Sequence, residues 1–302
     1  MGGRHGHGQV SATAQHRSRM LVVLCVTAVV LVAQVIGGLL ANSLALISDA
    51  LHSATDVTGV FMALAAARFA ARPATDRRTF GYYRIEILAA MVNAVLLFGV
   101  AIWVFSQAWE RFFAPPEVRS GLVIVVALVG LAVNALSMVL LYRGQKESLN
   151  VRGAYLEVMG DLLGSVAVLV AAIVIKLTGW YVIDPVASVV VAVMILPRAW
   201  KLLKEAVDVL LEATPKGMDL SDVRTHLLGR DGVVDVHDLH AWTLTSGLPV
   251  LTAHIVVDDS RLGDGRLLDE LHDCLLGHFD VEHSTLQLEP RGHLDHEGAK
   301  HA

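Results

Sequence analysis

The sequence predicts a bundle of six transmembrane helices followed by a small α+β domain with the element order αββαβ. The chain has 302 residues, of which 54% are hydrophobic and only 18% charged, and its mean hydropathy is +0.56. These values are typical of a membrane protein. Uncharged runs within residues 19–49, 86–110 and 119–143 are long enough to cross a hydrocarbon core of about 30 Å. From residue 221 onward the charge density becomes that of a soluble domain.

Six apolar segments define the predicted membrane spans. They cover residues 20–41, 44–70, 86–110, 119–142, 154–177 and 183–205. The sixth segment holds only thirteen uncharged residues between Asp184 and Arg198, so hydropathy alone leaves open a re-entrant or interfacial segment. The connecting segments carry fourteen Lys and Arg residues on one side and three on the other. This asymmetry indicates six spans with both termini in the cytoplasm.

Charge and histidine content divide the chain into four predicted parts. These are a tail at residues 1–19, a membrane domain at 20–212, a soluble domain at 213–290 and a second tail at 291–302. The basic start leads into an apolar run longer than that of a signal peptide, so we expect an anchor and no cleavable leader. We expect the histidines of both tails to capture metal loosely: His5, His7, His293, His296 and His301.

The cysteine content favours a reducing environment. The chain has two cysteines, Cys25 in the first apolar segment and Cys274 in the soluble domain. This number and placement do not form a disulfide framework, and we expect reduced thiols on the cytoplasmic side.

The soluble domain alternates between helical and extended patterns. The segments LSDVRTHLLG and GDGRLLDELHDCLLGHF are amphipathic, with Gly229 as the expected stop of the first helix, whereas GVVDVHDLHAW, LPVLTAHIVVD and STLQLE have strand patterns. The resulting order αββαβ predicts a small α+β sandwich. Its 78 residues bury only a modest core, so we expect docking or dimerisation to help stabilise it.

The stretch SDALHSATDV, residues 48–57, places Asp49, His52 and Asp56 inside an apolar segment. At about 100° per residue, these spacings put all three side chains on one helical face. A charged group at the bilayer centre costs about 2.5 to 3.5 kcal/mol on insertion scales, so such residues persist mainly where they pair, bind an ion or line a water-filled path. The alternative is a buried helix with ordinary polar pairs.

A second pair of ionisable residues lies in GAYLEVMGDLLGS, where Glu157 and Asp161 are four residues apart. His52 is the only histidine between residues 20 and 210. We therefore hypothesise that one imidazole and three carboxylates converge on a divalent cation with near-tetrahedral geometry, the ligands being His52, Asp56, Glu157 and Asp161. Asp49 is expected to hydrogen-bond His52 or a neighbouring helix, the alternative being a purely structural contact.

These motifs together resemble the cation diffusion facilitator family, whose members include bacterial zinc exporters and animal zinc transporters. The resemblance runs from about residue 20 to residue 290 and rests on NSLALISDALHSATD, RPATDRRTFGYYRIEILAAMVNA, NVRGAYLEVMGDLLGSV, LLEATP, VVDVHDLHAWTL, LTAHIVV and EHSTLQLEP. It implies six spans, a cytoplasmic domain resembling metallochaperones, a homodimer, and export of Zn²⁺ or related metals in exchange for protons.

Carried over position by position, the family's two ligand pairs fall on the four residues of the hypothesised site. Glu157 stands where zinc-transporting members usually have histidine. This departure leaves the metal open, with Zn²⁺ the first choice and Co²⁺, Cd²⁺, Fe²⁺ and Mn²⁺ as alternatives. The resemblance also implies a charge interlock between the membrane and cytoplasmic domains, for which we predict the pair Arg84 and Asp208.

In the soluble domain the resemblance implies a regulatory metal site. Its ligands fall on His237, His254 and Glu289, with His240 and His283 as additional candidates. Gln287 occupies a position where some members have a histidine, two residues before the acidic ligand. The alternative for each of these histidines is a surface or capping role.

The resemblance implies a transporter in a bacterial inner membrane that contacts lipids, uses protons as counter-substrate, has no nucleic-acid partner and is not an enzyme. Two other functions use the same ligands. A membrane metal sensor would bind the ion without flux. An intramembrane metalloenzyme would activate water and needs an open coordination position and a separate general base, but the spans offer no further catalytic pair.

Overall fold

The computed structural model describes residues 12–142 and 149–293. The chain forms eight helices and three strands in these ranges: α1 (Ala12–Ala41), α2 (Leu44–Ala70), α3 (Arg84–Phe113), α4 (Ser120–Tyr142), α5 (Leu149–Thr178), α6 (Ile183–Leu210), α7 (Leu220–Leu228), β1 (Val233–Thr245), β2 (Leu248–Val257), α8 (Gly265–Phe279) and β3 (His283–Pro290). The predicted fold class, helical spans followed by an αββαβ domain, is confirmed. Of the tail histidines, only His293 lies within the described residues.

Within residues 12–142 and 149–293, five helices are long and apolar enough to cross a membrane, namely α2, α3, α4, the Arg152–Thr178 part of α5, and α6. The sixth predicted segment is therefore a full-length helix, not a short re-entrant one. In α1 the apolar portion found among the described residues is shorter, Cys25–Ala41. Large apolar side chains on these helices point outward, with Phe61 72% and Val139 71% exposed. A surface of this composition fits contact with lipid.

The described residues group into two compact units. The first joins the chain up to Met62 with Val92–Leu203, and the second joins Ala63–Met91 with the chain from Lys204 onward. In the first unit α4 packs against α1 and α5. Gly37 permits one close approach between α1 and α4, because a Cβ there would lie 2.8 Å from a methyl group of Val126.

Asp184, at the start of α6, holds the start of α2. Its carboxylate accepts hydrogen bonds from Ser43 Oγ at 2.5 Å and from Leu44 N at 2.6 Å. The first backbone N–H groups of a helix have no partner within that helix, so this carboxylate satisfies donors that would otherwise be buried and unpaired. The contact fixes α2, which carries His52 and Asp56, against α6.

The C-terminal domain of the second unit is built on a three-stranded sheet of order β1-β2-β3. Strands β1 and β2 are antiparallel and β2 and β3 are parallel, which places β2 in the centre. The helix α7 begins at its N-cap, Asp219, whose pKa is lowered by hydrogen bonds from the Ser221 hydroxyl and backbone N–H. It ends at Gly229, as predicted. Apolar residues of both helices and the sheet, including Leu227, Leu251 and Leu271, form one buried core.

The predicted partner of Arg84 is wrong, because its guanidinium pairs with Glu212 and not with Asp208. Arg84 Nη2 lies 2.8 Å from Glu212 Oε1. The reason lies in the backbone at the end of α6. The helix stops at Leu210, and Glu212 follows it with a left-handed φ of 58°, so the backbone at Glu212 no longer follows the helical path on which Asp208 lies. Asp208 instead lines a cavity beside Lys216 and His278.

Candidate metal centres

Three of the four predicted membrane ligands form one buried group. The i, i+4 spacing on α2 brings His52 Nε2 to 3.6 Å from Asp56 Oδ2, and α5 supplies Asp161, whose Oδ1 lies 3.7 Å from the same imidazole nitrogen. The three ligand atoms all lie within 4.8 Å of one another. All three residues are buried. One imidazole and two carboxylates are thus already gathered at a distance that a single small cation can bridge.

Several atoms of this group have no hydrogen-bond partner among the described residues. They are His52 Nδ1, both carboxylate oxygens of Asp56, and Asp161 Oδ1. A buried carboxylate oxygen without a donor carries an uncompensated desolvation cost of about 1 to 3 kcal/mol, more when it is charged. A bound divalent cation would remove that cost by direct coordination, so the donor set fits a metal.

The fourth predicted ligand, Glu157, lies at the edge of this group and has a different partner. Arg198 Nη2 donates a hydrogen bond to Glu157 Oε1 at 3.0 Å, and Nη1 of the same guanidinium lies 3.3 Å from Asp56 Oδ1. Glu157 does not belong to the group of three converging atoms. Arg198 comes from α6, immediately after Pro197.

Sequence reasoning did not include Arg198 in this site. In the sequence it is one of the fourteen Lys and Arg residues whose distribution predicts the orientation of the spans. One signal was available, since Arg198 is the first charged residue after the uncharged run that begins past Asp184. An arginine at that depth on a spanning helix needs an acidic partner. A small cavity of about 190 Å³ lies beside it, lined by residues that include His52, Glu157, Gly160, Gly164 and Met194.

Asp49 forms a separate polar network one turn from His52. Gln34 Nε2 of α1 donates to Asp49 Oδ2 at 2.7 Å, and Ser165 Oγ of α5 donates to the same oxygen at 3.4 Å. Asn134 of α4 reaches Ser165 Oγ at 3.4 Å. A Cβ on Gly164 would lie 2.5 Å from Asp49 Oδ1, so glycine is required where α5 passes this carboxylate. Asp49 therefore bonds neighbouring helices, which is one of the two contacts expected for it.

A second group of ligands lies on the sheet of the C-terminal domain. Cross-strand pairing puts His237 of β1 opposite His254 of β2, and Glu289 of β3 pairs with Val256. Glu289 is buried, with Oε2 3.1 Å from His237 Nε2 and Oε1 2.9 Å from His254 Nδ1. The three ligand atoms lie within 4.8 Å of one another. The three ligands that the family resemblance implies for this domain thus lie close together on the sheet.

Gln287 and the two additional histidine candidates have other positions. Gln287 Nε2 donates to Glu289 Oε1 at 2.8 Å, so it orients the carboxylate. His240 lies beyond an irregularity in the β1–β2 register, and its Nε2 is 3.1 Å from Asp238 Oδ1. The His283 ring stacks edge-on against Phe80 with a centroid distance of 5.4 Å. The structure does not bring these two histidines into the group of three.

Comparisons with known proteins cover nearly the whole chain. Residues 20–211 match the family model described as cation efflux transmembrane domain, and residues 215–291 match the model described as cation efflux protein, cytoplasmic domain. The metal-bound C-terminal domain of the CzcD transporter, a solved structure, is 42% identical and covers 24% of this chain and 99% of that chain, with a TM-score of 0.23.

Three curated relatives are similar over most of their length. The metal cation efflux system protein CzcD of Cupriavidus metallidurans is 46% identical over 96% of this chain and 90% of its own. The zinc transporter ZitB of Escherichia coli is 40% identical over 94% and 92%. The cadmium, cobalt and zinc/H⁺-K⁺ antiporter of Bacillus subtilis is 37% identical over 99% and 95%. The chain therefore belongs to the cation efflux family, also called the cation diffusion facilitator family, whose members are transporters and not enzymes.

Proposed function

We propose that this protein exports divalent transition-metal ions from the cytoplasm, with Zn²⁺ as the main substrate and protons as the counter-substrate. The observation that carries the proposal is the buried convergence of His52, Asp56 and Asp161 within 4.8 Å on two helices of membrane-spanning length. The ligand set has one nitrogen donor and carboxylate oxygens, which Zn²⁺ accepts in tetrahedral sites. Relatives named for zinc, cadmium and cobalt transport support this choice of metals.

The proposed transport site comprises His52, Asp56, Asp161 and, when metal is bound, Glu157. Ligands must be deprotonated to coordinate a metal, so metal and protons compete for the same atoms. In an alternating-access cycle the site loads metal facing the cytoplasm and releases it facing outward as protons return to the ligands. Both termini lie in the cytoplasm in this arrangement, and the membrane is a bacterial inner membrane.

We also propose that the protein acts as a homodimer and that a second metal site regulates it. The match to a cytoplasmic domain model named for dimerisation supports the first part. The convergence of His237 and His254 on the buried Glu289 supports the second. Zn²⁺ at this site would bridge β1, β2 and β3 and so stiffen the domain.

Flux measurements distinguish a transporter from a sensor. Everted vesicles carrying the wild-type protein should accumulate Zn²⁺ with loss of protons from the lumen, and Asp161→Ala should reduce uptake at least a hundredfold because one buried ligand is lost. Glu110→Gln, which changes an exposed carboxylate on α3, is the matched control and should transport normally. Zinc binding without any uptake by the wild type would instead identify a sensor, and wild-type uptake by Asp161→Ala would remove the site assignment.

The cytoplasmic site is tested by counting bound metal. Zinc titration of the purified full-length protein should give two sites per protomer, and His254→Ala should leave one. The matched control is His226→Ala, which removes an exposed histidine of α7 outside the group. The assignment is wrong if His254→Ala binds as many zinc ions as the wild type.

Glu157 should broaden the range of metals. A carboxylate in place of an imidazole changes the formal charge of the ligand set from −2 to −3 and supplies a hard oxygen donor, which favours Mn²⁺ more than a nitrogen does. We expect Glu157→His to raise the preference for Zn²⁺ over Mn²⁺ by about tenfold, or about 1.4 kcal/mol. Competition between the two ions in vesicle uptake measures this ratio. An unchanged ratio would show that Glu157 does not ligate the transported ion.

A further inference from the structure

Arg198 already occupies part of the space in which a transported cation would be coordinated. Its guanidinium contacts Glu157 Oε1 at 3.0 Å and Asp56 Oδ1 at 3.3 Å, so it bridges the two helices that supply the ligands. Asp56 is shared, because its other oxygen faces His52 at 3.6 Å. One carboxylate thus belongs to the three converging ligands on one side and to the guanidinium on the other.

The charges of the site explain why such a cation is present. With His52 neutral and all three carboxylates ionised, the proposed site has a formal charge of −3. Carboxylates packed this closely repel one another, and a fixed guanidinium offsets part of that repulsion. A divalent ion would offset the same repulsion, and it would bind the same oxygen atoms.

We propose that Arg198 is a tethered competitor of the transported metal, which holds Glu157 and Asp56 in the metal-free site and releases Glu157 when metal arrives. The inference rests on the proposed transport function and adds a specificity-determining residue to it. The arginine weakens metal binding in two ways. It occupies an oxygen of the fourth ligand, and its positive charge repels the incoming ion. Both effects also speed metal release.

The surroundings of Arg198 permit such a movement. Pro197 precedes it inside α6, and proline removes a backbone hydrogen bond from the helix at that turn. The cavity of about 190 Å³ beside the guanidinium is lined in part by Gly160 and Gly164, which leave space for a different rotamer. The Arg198 side chain is 47% exposed, so packing does not lock it from all sides.

The proposal requires that the effect of Arg198 depend on Glu157. In Glu157→His the guanidinium loses its 3.0 Å contact with a carboxylate at position 157 and keeps only the 3.3 Å contact with Asp56, so an arginine that acts mainly through Glu157 loses most of its influence. Arg198→Gln and Glu157→His should therefore be strongly non-additive in zinc affinity. A residue that only supports the fold of α6 would show the same effect with either residue at position 157.

Calorimetric zinc titration of the purified full-length protein tests this, with His254→Ala present in every variant so that only the membrane site is measured. Arg198→Gln should tighten zinc binding about tenfold, whereas the same change in the Glu157→His background should alter it no more than about twofold. Lys201→Gln, an exposed cation on the next turn of α6, is the matched control and should bind zinc like the parent. Weaker or unchanged binding in Arg198→Gln, or equal tightening in both backgrounds, would overturn the proposal.

Two further variants distinguish a failure of the Arg198 proposal from a failure of the proposed transport function. Asp161→Ala in the same background should lose zinc binding. If it does so while Arg198→Gln leaves zinc affinity unchanged, the proposed transport site is supported and only the proposed role of Arg198 is wrong. If the parent binds no zinc at all, the proposed function falls. Should Arg198→Gln fail to purify, Arg198→Lys replaces it, because a lysine lacks the rigid fork through which two different guanidinium nitrogens contact Asp56 and Glu157. Tightening of about threefold is expected, and none overturns the proposal.

Discussion

Carboxylates buried among spanning helices are stable only when a cation or a set of hydrogen-bond donors is supplied to them, and this requirement organises the membrane unit. Asp49, Asp56, Asp161 and Asp184 are all buried. These carboxylates differ in the hydrogen-bond donors that surround them, because the donors come from different helices. Asp184 receives hydrogen bonds from the start of α2, and Asp49 receives them from the side chains of Gln34 and Ser165. Both oxygens of Asp56 and Oδ1 of Asp161 have no hydrogen-bond donor among the described residues, and the cation closest to them is Arg198, 3.3 Å from Asp56 Oδ1.

The two donor-satisfied carboxylates position the other two. Asp184 fixes the first turn of α2, and Asp49 ties the second turn of α2 to α1 and α5. These contacts lie before His52 in α2, so they set the position of the imidazole and of Asp56 relative to α5. Gly164 permits the close approach that the Asp49 contact needs. The proposed metal ligands are thus positioned by hydrogen bonds of two carboxylates outside the group of three converging atoms.

The sequence predicted those features that depend on local pattern. Uncharged runs located the helices, and the four-residue spacings of His52 with Asp56 and of Glu157 with Asp161 marked the two helix faces that carry the proposed ligands. The contacts that each charged side chain makes could not be predicted from local pattern, because they depend on how the helices are rotated and where they end. Arg198 and Glu157 lie on different helices, α6 and α5, and periodicity within one helix does not predict a contact between two helices. Glu212 replaces Asp208 as the partner of Arg84 because it follows the end of α6 in a left-handed conformation.

We propose that the membrane unit binds Zn²⁺ through one histidine and carboxylate oxygens. X-ray absorption at the zinc edge measures this directly in full-length protein that carries His237→Ala and His254→Ala, so that the cytoplasmic site is empty. We expect a four-coordinate shell of one imidazole nitrogen and three oxygens at about 2.0 to 2.2 Å. A shell with sulfur or with two or more imidazoles, or one that stays the same when Asp161 is replaced by alanine, would contradict it.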